Sequence, residues 1–91
     1  MTSRTTARFR AAFERLPESV RRRARVSYAL FRQDPQHPSL RFKQVHASRP
    51  IHSVRIGLGY RALGVRDGDD VVWFWIGSHA DYDRMLADLP K

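Results

Sequence analysis

Cysteine is absent from this sequence of 91 residues, and so is any long apolar run. Without cysteine the chain can form no disulfide, thiolate metal site or thiol nucleophile. The longest apolar stretch, VVWFWI at residues 71–76, is far too short to cross a bilayer. The N-terminus also lacks the apolar core of a signal peptide. We therefore expect one domain over residues 1–91, in the cytoplasm and without a membrane partner.

Acidic residues are scarce over residues 1–66. This part holds fifteen Lys and Arg against three acidic residues, a charge of +12, whereas residues 67–91 hold two against six, a charge of −4. The whole chain carries +8. Like charges at this density repel one another in the folded state, and a polyanion or an acidic protein relieves that repulsion. The charge balance favours a nucleic acid or an acidic protein as the partner.

Several signatures of cofactor and metal chemistry are missing as well. The sequence has no Gly-rich phosphate loop, no G-x-S-x-G motif and no pair of carboxylates suited to a glycosidase. His37, His46 and His52 lack the spacing of a metal site, and HADYD at residues 79–83 is not a calcium or zinc motif. We therefore predict a protein without a metal or cofactor.

Two apolar stripes predict an N-terminal helical hairpin. Within residues 3–16 the apolar side chains recur at i, i+3, i+4 and i+7, which is one face of a helix. A second stripe starts after Pro17, a residue suited to a first helical turn, and continues to about Gln33. The DPQHP segment at residues 34–38 ends this helix, because proline cannot continue a helix and disfavours it in the preceding residue.

After Pro38 the apolar residues alternate with polar ones, which is the period of β-strands. Four strands are predicted, at SLRFKQV (39–45), HSVRIGL (52–58), YRALGV (60–65) and VVWFWIG (71–77). The GLG and RDGDD segments between the last three are hairpin turn signals. A C-terminal helix follows, capped by Ser78 and carrying an apolar stripe from Tyr82 to Leu89.

The order of elements predicts an α+β fold. It consists of an N-terminal helical hairpin, a four-stranded mostly antiparallel sheet and a C-terminal helix, with the helices on one face of the sheet. The other face is then open to a ligand.

Two arginines interrupt the apolar central strands. Arg55 alternates with residues that should face the helices, so it points to the open face, and the GLG turn can bring Arg61 beside it. Like charges so placed repel, and an oxyanion would relieve that cost. Guanidinium groups suit phosphate or carboxylate because they donate two parallel hydrogen bonds. The alternative is that both arginines are solvated and pair with the aspartates of residues 67–70.

Further basic and aromatic residues could extend this surface. Arg41 and Lys43 precede the arginine pair on a strand of their own, and Arg22 belongs to an arginine cluster on the second helix. Each could contact RNA or could simply be a solvated side chain. Trp73 and Trp75 share one parity of their strand, so they should face one side, for core packing or for base stacking.

A histidine and a tyrosine follow the last strand. His79 lies in the first helical turn after Ser78, where free backbone N–H groups attract anions. Tyr82, one turn further, could donate a hydrogen bond from its hydroxyl. The alternatives are a local hydrogen bond for His79 and core packing beside Leu86 for Tyr82.

These motifs resemble the RelE/ParE superfamily of toxins from type II toxin–antitoxin systems. The resemblance rests on HPSLRFKQV (37–45), SVRIGLGYRAL (53–63) and WFWIGSHADYDRML (73–86), which cover most of the chain. The YR pair at residues 60–61 and the IG-x-H-x-x-Y pattern at residues 76–82 are its more specific parts.

The resemblance implies a toxin that a cognate acidic antitoxin neutralises. Such toxins either cleave mRNA in the ribosomal A site without a metal or inhibit DNA gyrase, and a toxin-fold protein without catalysis is also possible. Arg61 matches the YR arginine, Arg55 takes the place of a strand lysine, and Ser53 stands where some members have a second lysine. His79 and Tyr82 fall near an Arg or His and a Tyr of the family. We therefore expect catalysis by Arg61, His79, Arg55 and Tyr82, and RNA binding by Lys43, Arg41 and Arg22.

Overall fold

The computed structural model describes residues 1–89, so the last two residues of the predicted domain lie outside it. The elements, in chain order, are β1 (Thr2–Thr5), α1 (Ala7–Glu14), α2 (Glu18–Gln33), a 3₁₀ turn (Pro38–Leu40), β2 (Lys43–Gln44), β3 (Ile51–Ile56), β4 (Tyr60–Asp67), β5 (Asp70–Ser78) and α3 (His79–Asp88). The strands form one sheet in the order β1-β5-β4-β3-β2. The pairs are antiparallel except β1 with β5, which is parallel. The predicted α+β class is confirmed.

The sheet has five strands and not four, because the N-terminal residues form β1. Its sequence, TSRT, has no apolar alternation, and the helix predicted over residues 3–16 includes three of its four residues. Thr6 instead caps α1, accepting a hydrogen bond of 3.0 Å from the backbone N–H of Phe9. The strand is fixed by tertiary contacts: the Thr6 N–H donates to the carbonyl of Trp73, and Trp73 Nε1 donates to Ser3 Oγ at 2.7 Å.

The strand predicted over residues 39–45 is reduced to β2. His37 caps the 3₁₀ turn through Nδ1, which accepts from the Ser39 N–H at 3.2 Å, and Pro38 favours the helical start. The turn ends at Arg41, whose φ of 48° lies in the left-handed region. This local capping overrides the alternating pattern, so only Lys43–Gln44 pairs with β3.

The helices cover both faces of the sheet and not one, as the sequence predicted. Ala62 faces α1 and α2 in a core with Phe31, whereas its neighbour Leu63 packs with Tyr82 of α3. Adjacent strand residues point to opposite faces, so the two layers lie on opposite sides. None of the helices within residues 1–89 is long and apolar enough to span a membrane.

We name the two faces by the helices that cover them. The hairpin face, under α1 and α2, carries Val54, Ile56, Ala62, Trp73 and Ile76. The α3 face carries Ile51, Ser53, Arg55, Arg61, Leu63 and Trp75.

A β-bulge in β5 separates the two tryptophans. Leu63 pairs with Trp75 but Gly64 pairs with Trp73, which leaves Phe74 as the extra residue. Trp73 therefore packs on the hairpin face and Trp75 on the α3 face. The prediction that the two indoles share a face is wrong, because strict alternation fails at a bulge.

Candidate functional site

Arg55 and Arg61 are direct cross-strand partners in the β3–β4 hairpin. Their side chains lie on the α3 face because they alternate with the hairpin-face residues of each strand. The connecting loop turns at Gly57, whose φ of 59° favours a residue without a Cβ atom. Arg55 Nε donates to the Gly57 carbonyl at 2.9 Å. The juxtaposition predicted from the GLG turn is present.

The Arg61 guanidinium is partly buried beneath α3. Its Cζ atom lies 5.2 Å from the centroid of the Tyr82 ring, a cation–π contact. Its Nε and Nη1 atoms are buried and have no hydrogen-bond partner within residues 1–89. The ion pairs of this range involve neither Arg55 nor Arg61, so pairing with the aspartates of residues 67–70 does not occur. Neither guanidinium is neutralised by a carboxylate within residues 1–89, which leaves the partly exposed arginine pair available to an oxyanion.

Ser53 brings a further unpaired group to the α3 face. It is fully buried, and its Oγ has no hydrogen-bond partner in the described part of the chain. Ser53 pairs with Leu63, which makes it a diagonal neighbour of Arg61. An unsatisfied buried polar group costs about 1–3 kcal/mol. All three unsatisfied buried side-chain atoms of residues 1–89 thus lie together on β3 and β4.

The start of α3 adds an imidazole to this site. Ser78 Oγ accepts a backbone hydrogen bond from the first turn, as the cap prediction required. The His79 backbone N–H donates to the Gly59 carbonyl at 2.8 Å, which ties the helix start to the GLG loop. The His79 ring lies edge-on to the Tyr82 ring, with 5.8 Å between centroids. Tyr82 therefore contacts both His79 and Arg61.

Asp83 is a site residue that the sequence patterns did not single out. Its Oδ2 lies 3.4 Å from Nδ1 of His79, and both side chains are exposed. The sequence pattern that could have identified Asp83 is an acidic residue four positions after a histidine, which places both on the same side of a helix. A carboxylate on Nδ1 orients the ring and leaves Nε2 for a substrate.

The three predicted RNA-binding residues lie in different places. Lys43 is exposed on the α3 face, because it pairs with Ser53 across β2 and β3. Arg41 is exposed at the end of the 3₁₀ turn, just before β2. Arg22 lies on α2, in the layer over the hairpin face, and contacts Glu18 at 3.3 Å. The structure therefore brings Lys43, and not Arg22, to the face with the arginine pair.

Within residues 1–89 no three His, Cys, Asp or Glu side chains are grouped to hold a metal ion. Two of the histidines outside α3 contact backbone groups close to them in the chain. His46 Nδ1 accepts from the backbone N–H groups of Ser48 and Arg49, and His52 Nδ1 lies 3.3 Å from the Pro50 carbonyl.

A groove of about 470 Å³ opens between α1 and α2 on the hairpin face. Its lining is largely apolar and also includes three arginines and one acidic residue, Glu14. The apolar lining includes Phe9, Phe13, Tyr28, Val54, Ile56 and Ala62, and the arginines are Arg10, Arg25 and Arg32. The Arg25 guanidinium lies 5.3 Å from the Phe13 ring centroid. The groove suits an apolar partner with acidic edges, whereas the α3 face suits an oxyanion.

Comparison with known proteins agrees with this architecture. Sequence comparison with curated proteins gives no significant match. Among solved structures, the chain is similar to the RelB–RelE antitoxin–toxin complex from Methanococcus jannaschii, with a TM-score of 0.71, 16% identity and coverage of 89% of this chain and 96% of that chain. It is also similar to the RelBE2 toxin–antitoxin complex from Mycobacterium tuberculosis (TM-score 0.65, 24% identity, 86% and 96% covered). A third similar structure is the intact RelBE complex from E. coli (TM-score 0.63, 13% identity, 84% and 93% covered).

At these identities the solved structures establish the fold, and the family model establishes the family. The model of the ParE-like toxin domain matches residues 18–84, which include the arginine pair, His79 and Tyr82. The resemblance to the RelE/ParE superfamily is confirmed. The chain belongs to the ParE-like toxin domain family.

Proposed function

We propose that this protein is the toxin of a toxin–antitoxin pair and cleaves mRNA in the ribosomal A site. The observation that carries the proposal is the pair of partly exposed arginines on adjacent strands, Arg55 and Arg61, neither of which has an ion-pair partner within residues 1–89. Arg61 also lies against Tyr82. An RNA phosphodiester supplies the oxygens that two neighbouring guanidinium groups need.

The proposed reaction uses the RNA's own 2′-hydroxyl as the nucleophile. Its oxygen attacks the adjacent phosphorus and the bond to O5′ breaks, which leaves a 2′,3′-cyclic phosphate and a 5′-hydroxyl. Arg61 and Arg55 hold the non-bridging oxygens and stabilise the negative charge that grows on the pentacoordinate phosphorus. Lys43 and Arg41, both exposed around β2, contact the phosphates on either side.

His79 carries out the proton transfers in this scheme. The Asp83 carboxylate lies 3.4 Å from Nδ1, so in this scheme Nε2 is the nitrogen that takes the proton from the 2′-hydroxyl and returns one to the departing O5′. His79 thus gives up as many protons as it takes, so the reaction needs no second acid or base. A positioned acid or base of this kind contributes roughly 10²–10⁴-fold to the rate. Tyr82 supports the scheme by packing against both His79 and Arg61.

An antitoxin partner is supported by the three solved structures named above, each of which is a toxin–antitoxin complex. We propose that the antitoxin of this chain is acidic and places an amphipathic helix in the groove between α1 and α2. The apolar lining suits the apolar stripe of such a helix, and Arg10, Arg25 and Arg32 suit its acidic edges.

The test is cleavage of a defined mRNA on programmed ribosomes by the purified protein. We expect cuts within the A-site codon and a 2′,3′-cyclic phosphate on the upstream product. Arg61→Ala and His79→Ala should each lower the rate by about 10²-fold or more. Arg8→Ala removes the same charge as Arg61→Ala, but from the exposed side of α1, and is its matched control, with the rate unchanged.

Gyrase inhibition is the second candidate, because the matching family model is that of a ParE-like toxin domain. If the protein leaves A-site mRNA intact and prevents DNA gyrase from supercoiling a relaxed plasmid, gyrase inhibition replaces the nuclease proposal. Intact mRNA and normal supercoiling would leave a toxin-fold binding protein without catalysis.

A further inference from the structure

We propose that Gly77 and Trp75 are positioning residues for Arg61, an inference that rests on the proposed function of this site. The indole of Trp75 lies across the Gly77 backbone and fills the place in which a side chain at position 77 would face Arg61. In this arrangement the Trp75 ring, and not a side chain at position 77, sets the direction of the Arg61 guanidinium.

The register of the sheet and the position of the indole carry this inference. Arg61 and Gly77 are directly opposite each other in the β4–β5 pair. Opposite residues of antiparallel strands place their Cβ atoms about 4.5–5.5 Å apart, on the same face. A Cβ atom on Gly77 would lie 2.6 Å from Cζ2 and 2.9 Å from Cη2 of Trp75. The benzene ring of the indole therefore occupies the volume next to Arg61.

Tyr82 completes the aromatic surroundings of the guanidinium. Its ring centroid is 6.5 Å from that of Trp75, with 39° between the planes, and 5.2 Å from Arg61 Cζ. Trp75 and Tyr82 both belong to the apolar cluster beneath α3. Because Nε and Nη1 of Arg61 have no hydrogen-bond partner within residues 1–89, packing against these rings has to restrict the rotamers of its long side chain.

Gly64 and Trp73 make a similar glycine–tryptophan contact that has no arginine in the place of Arg61. On the hairpin face, a Cβ atom on Gly64 would lie 2.7 Å from Cε3 of Trp73 and 2.8 Å from Cγ1 of Val71. Gly64→Ala and Gly77→Ala therefore both force a methyl group against an indole. The two variants differ in what the displaced indole touches. In Gly64→Ala it is the apolar core of the hairpin face, and in Gly77→Ala it is Arg61.

The test compares these two variants by NMR of the Arg61 Nε–H group in the full-length protein, with its signal assigned by its loss in Arg61→Lys. In the wild type this buried proton should exchange slowly with solvent. We expect Gly77→Ala to shift the signal and to speed its exchange at least tenfold, whereas Gly64→Ala leaves both unchanged. Trp75→Leu, which removes the ring without crowding the backbone, should reproduce the effect of Gly77→Ala and keeps the test available if Gly77→Ala does not fold.

The outcomes separate this proposal from the proposed function. Unchanged exchange of the Arg61 proton in Gly77→Ala and Trp75→Leu overturns the positioning role, whatever the wild-type protein does to mRNA. An equal change in Gly64→Ala also overturns it, because the effect would then be general loosening. If the exchange changes as expected, the positioning role stands, and wild-type protein that leaves mRNA intact overturns only the nuclease. In an active nuclease, Gly77→Ala should lower kcat at least tenfold with antitoxin binding retained.

Discussion

On the hairpin face of the sheet, Phe31 packs edge-on against both Phe42 and Trp73 and is 2% exposed. On the α3 face, Arg61 and Ser53 hold polar atoms in buried positions without a hydrogen-bond partner in residues 1–89. The first face is assembled from apolar side chains with complementary shapes. The second combines an apolar cluster around Leu63 and Tyr82 with buried polar groups from which folding gains little.

This contrast distinguishes the side of the sheet that provides most of the stability from the side that is available for binding. Burial of apolar side chains is the main favourable term in folding, so the hairpin face should account for most of the stability. Unsatisfied donors and neighbouring like charges are costs, and natural proteins retain such costs at functional sites. A substitution on each face should therefore move stability and activity in different ways.

Phe31→Ala should have the largest effect on stability. It removes a buried aromatic ring from the centre of the hairpin-face core, so we expect the free energy of unfolding to fall by about 3–5 kcal/mol. Urea denaturation followed by tryptophan fluorescence measures the change. Val26→Ala on the same helix, where the side chain is 62% exposed, is the control and should change little. A loss below about 1 kcal/mol for Phe31→Ala would contradict the assignment of the core to this face.

Arg61→Met should move stability and activity in opposite directions. The substitution removes two buried unpaired nitrogens and the repulsion from Arg55, and these gains outweigh the lost cation–π contact with Tyr82. We expect the free energy of unfolding to rise by about 1–2 kcal/mol while mRNA cleavage is abolished. Arg66→Met is the control, because Arg66 Nε donates to the Gly68 carbonyl at 3.0 Å, and its loss should not stabilise the protein. A destabilised but active Arg61→Met protein would refute both expectations.

The sequence predicted the central hairpin of the site well, and the reason is local. Alternation in β3 and β4 and the glycines of the GLG turn determine the register, and the register places Arg55 opposite Arg61. Strand β1 and the bulge at Phe74 were missed because each depends on pairing with distant residues, which periodicity does not report.

The layer formed by α3 could not be read from the sequence for the same reason. The apolar stripe that includes Tyr82 predicts a helix with one buried side, but not the face of the sheet on which it packs. The contact of Tyr82 with Arg61, the unpaired Ser53 hydroxyl and the indole over Gly77 all follow from that packing. These features became visible only in three dimensions.

Ser53→Ala should raise the free energy of unfolding by about 1 kcal/mol, because the hydroxyl is buried without a partner in residues 1–89. Thermal denaturation measures the change. Ser39→Ala is the matched control: its Oγ lies 2.8 Å from His37 Nδ1, so its removal should destabilise the protein. Loss of stability in Ser53→Ala would mean that the hydroxyl has a partner in solution, and a water molecule in the site would then explain it.

Arg22→Gln should have the smallest effect and tests whether RNA contacts extend to the hairpin side. The Arg22–Glu18 pair is exposed at i, i+4 spacing, so its loss should lower the free energy of unfolding by about 0.3–0.5 kcal/mol. We expect the cleavage rate to stay within about twofold of the wild type, because a long-range charge effect is screened by salt beyond roughly 8–10 Å. Lys43→Gln, the same loss of charge on the α3 face, should weaken mRNA binding more. Equal weakening by both substitutions would show that the RNA-binding surface continues over α2, as the charge pattern of the sequence first indicated.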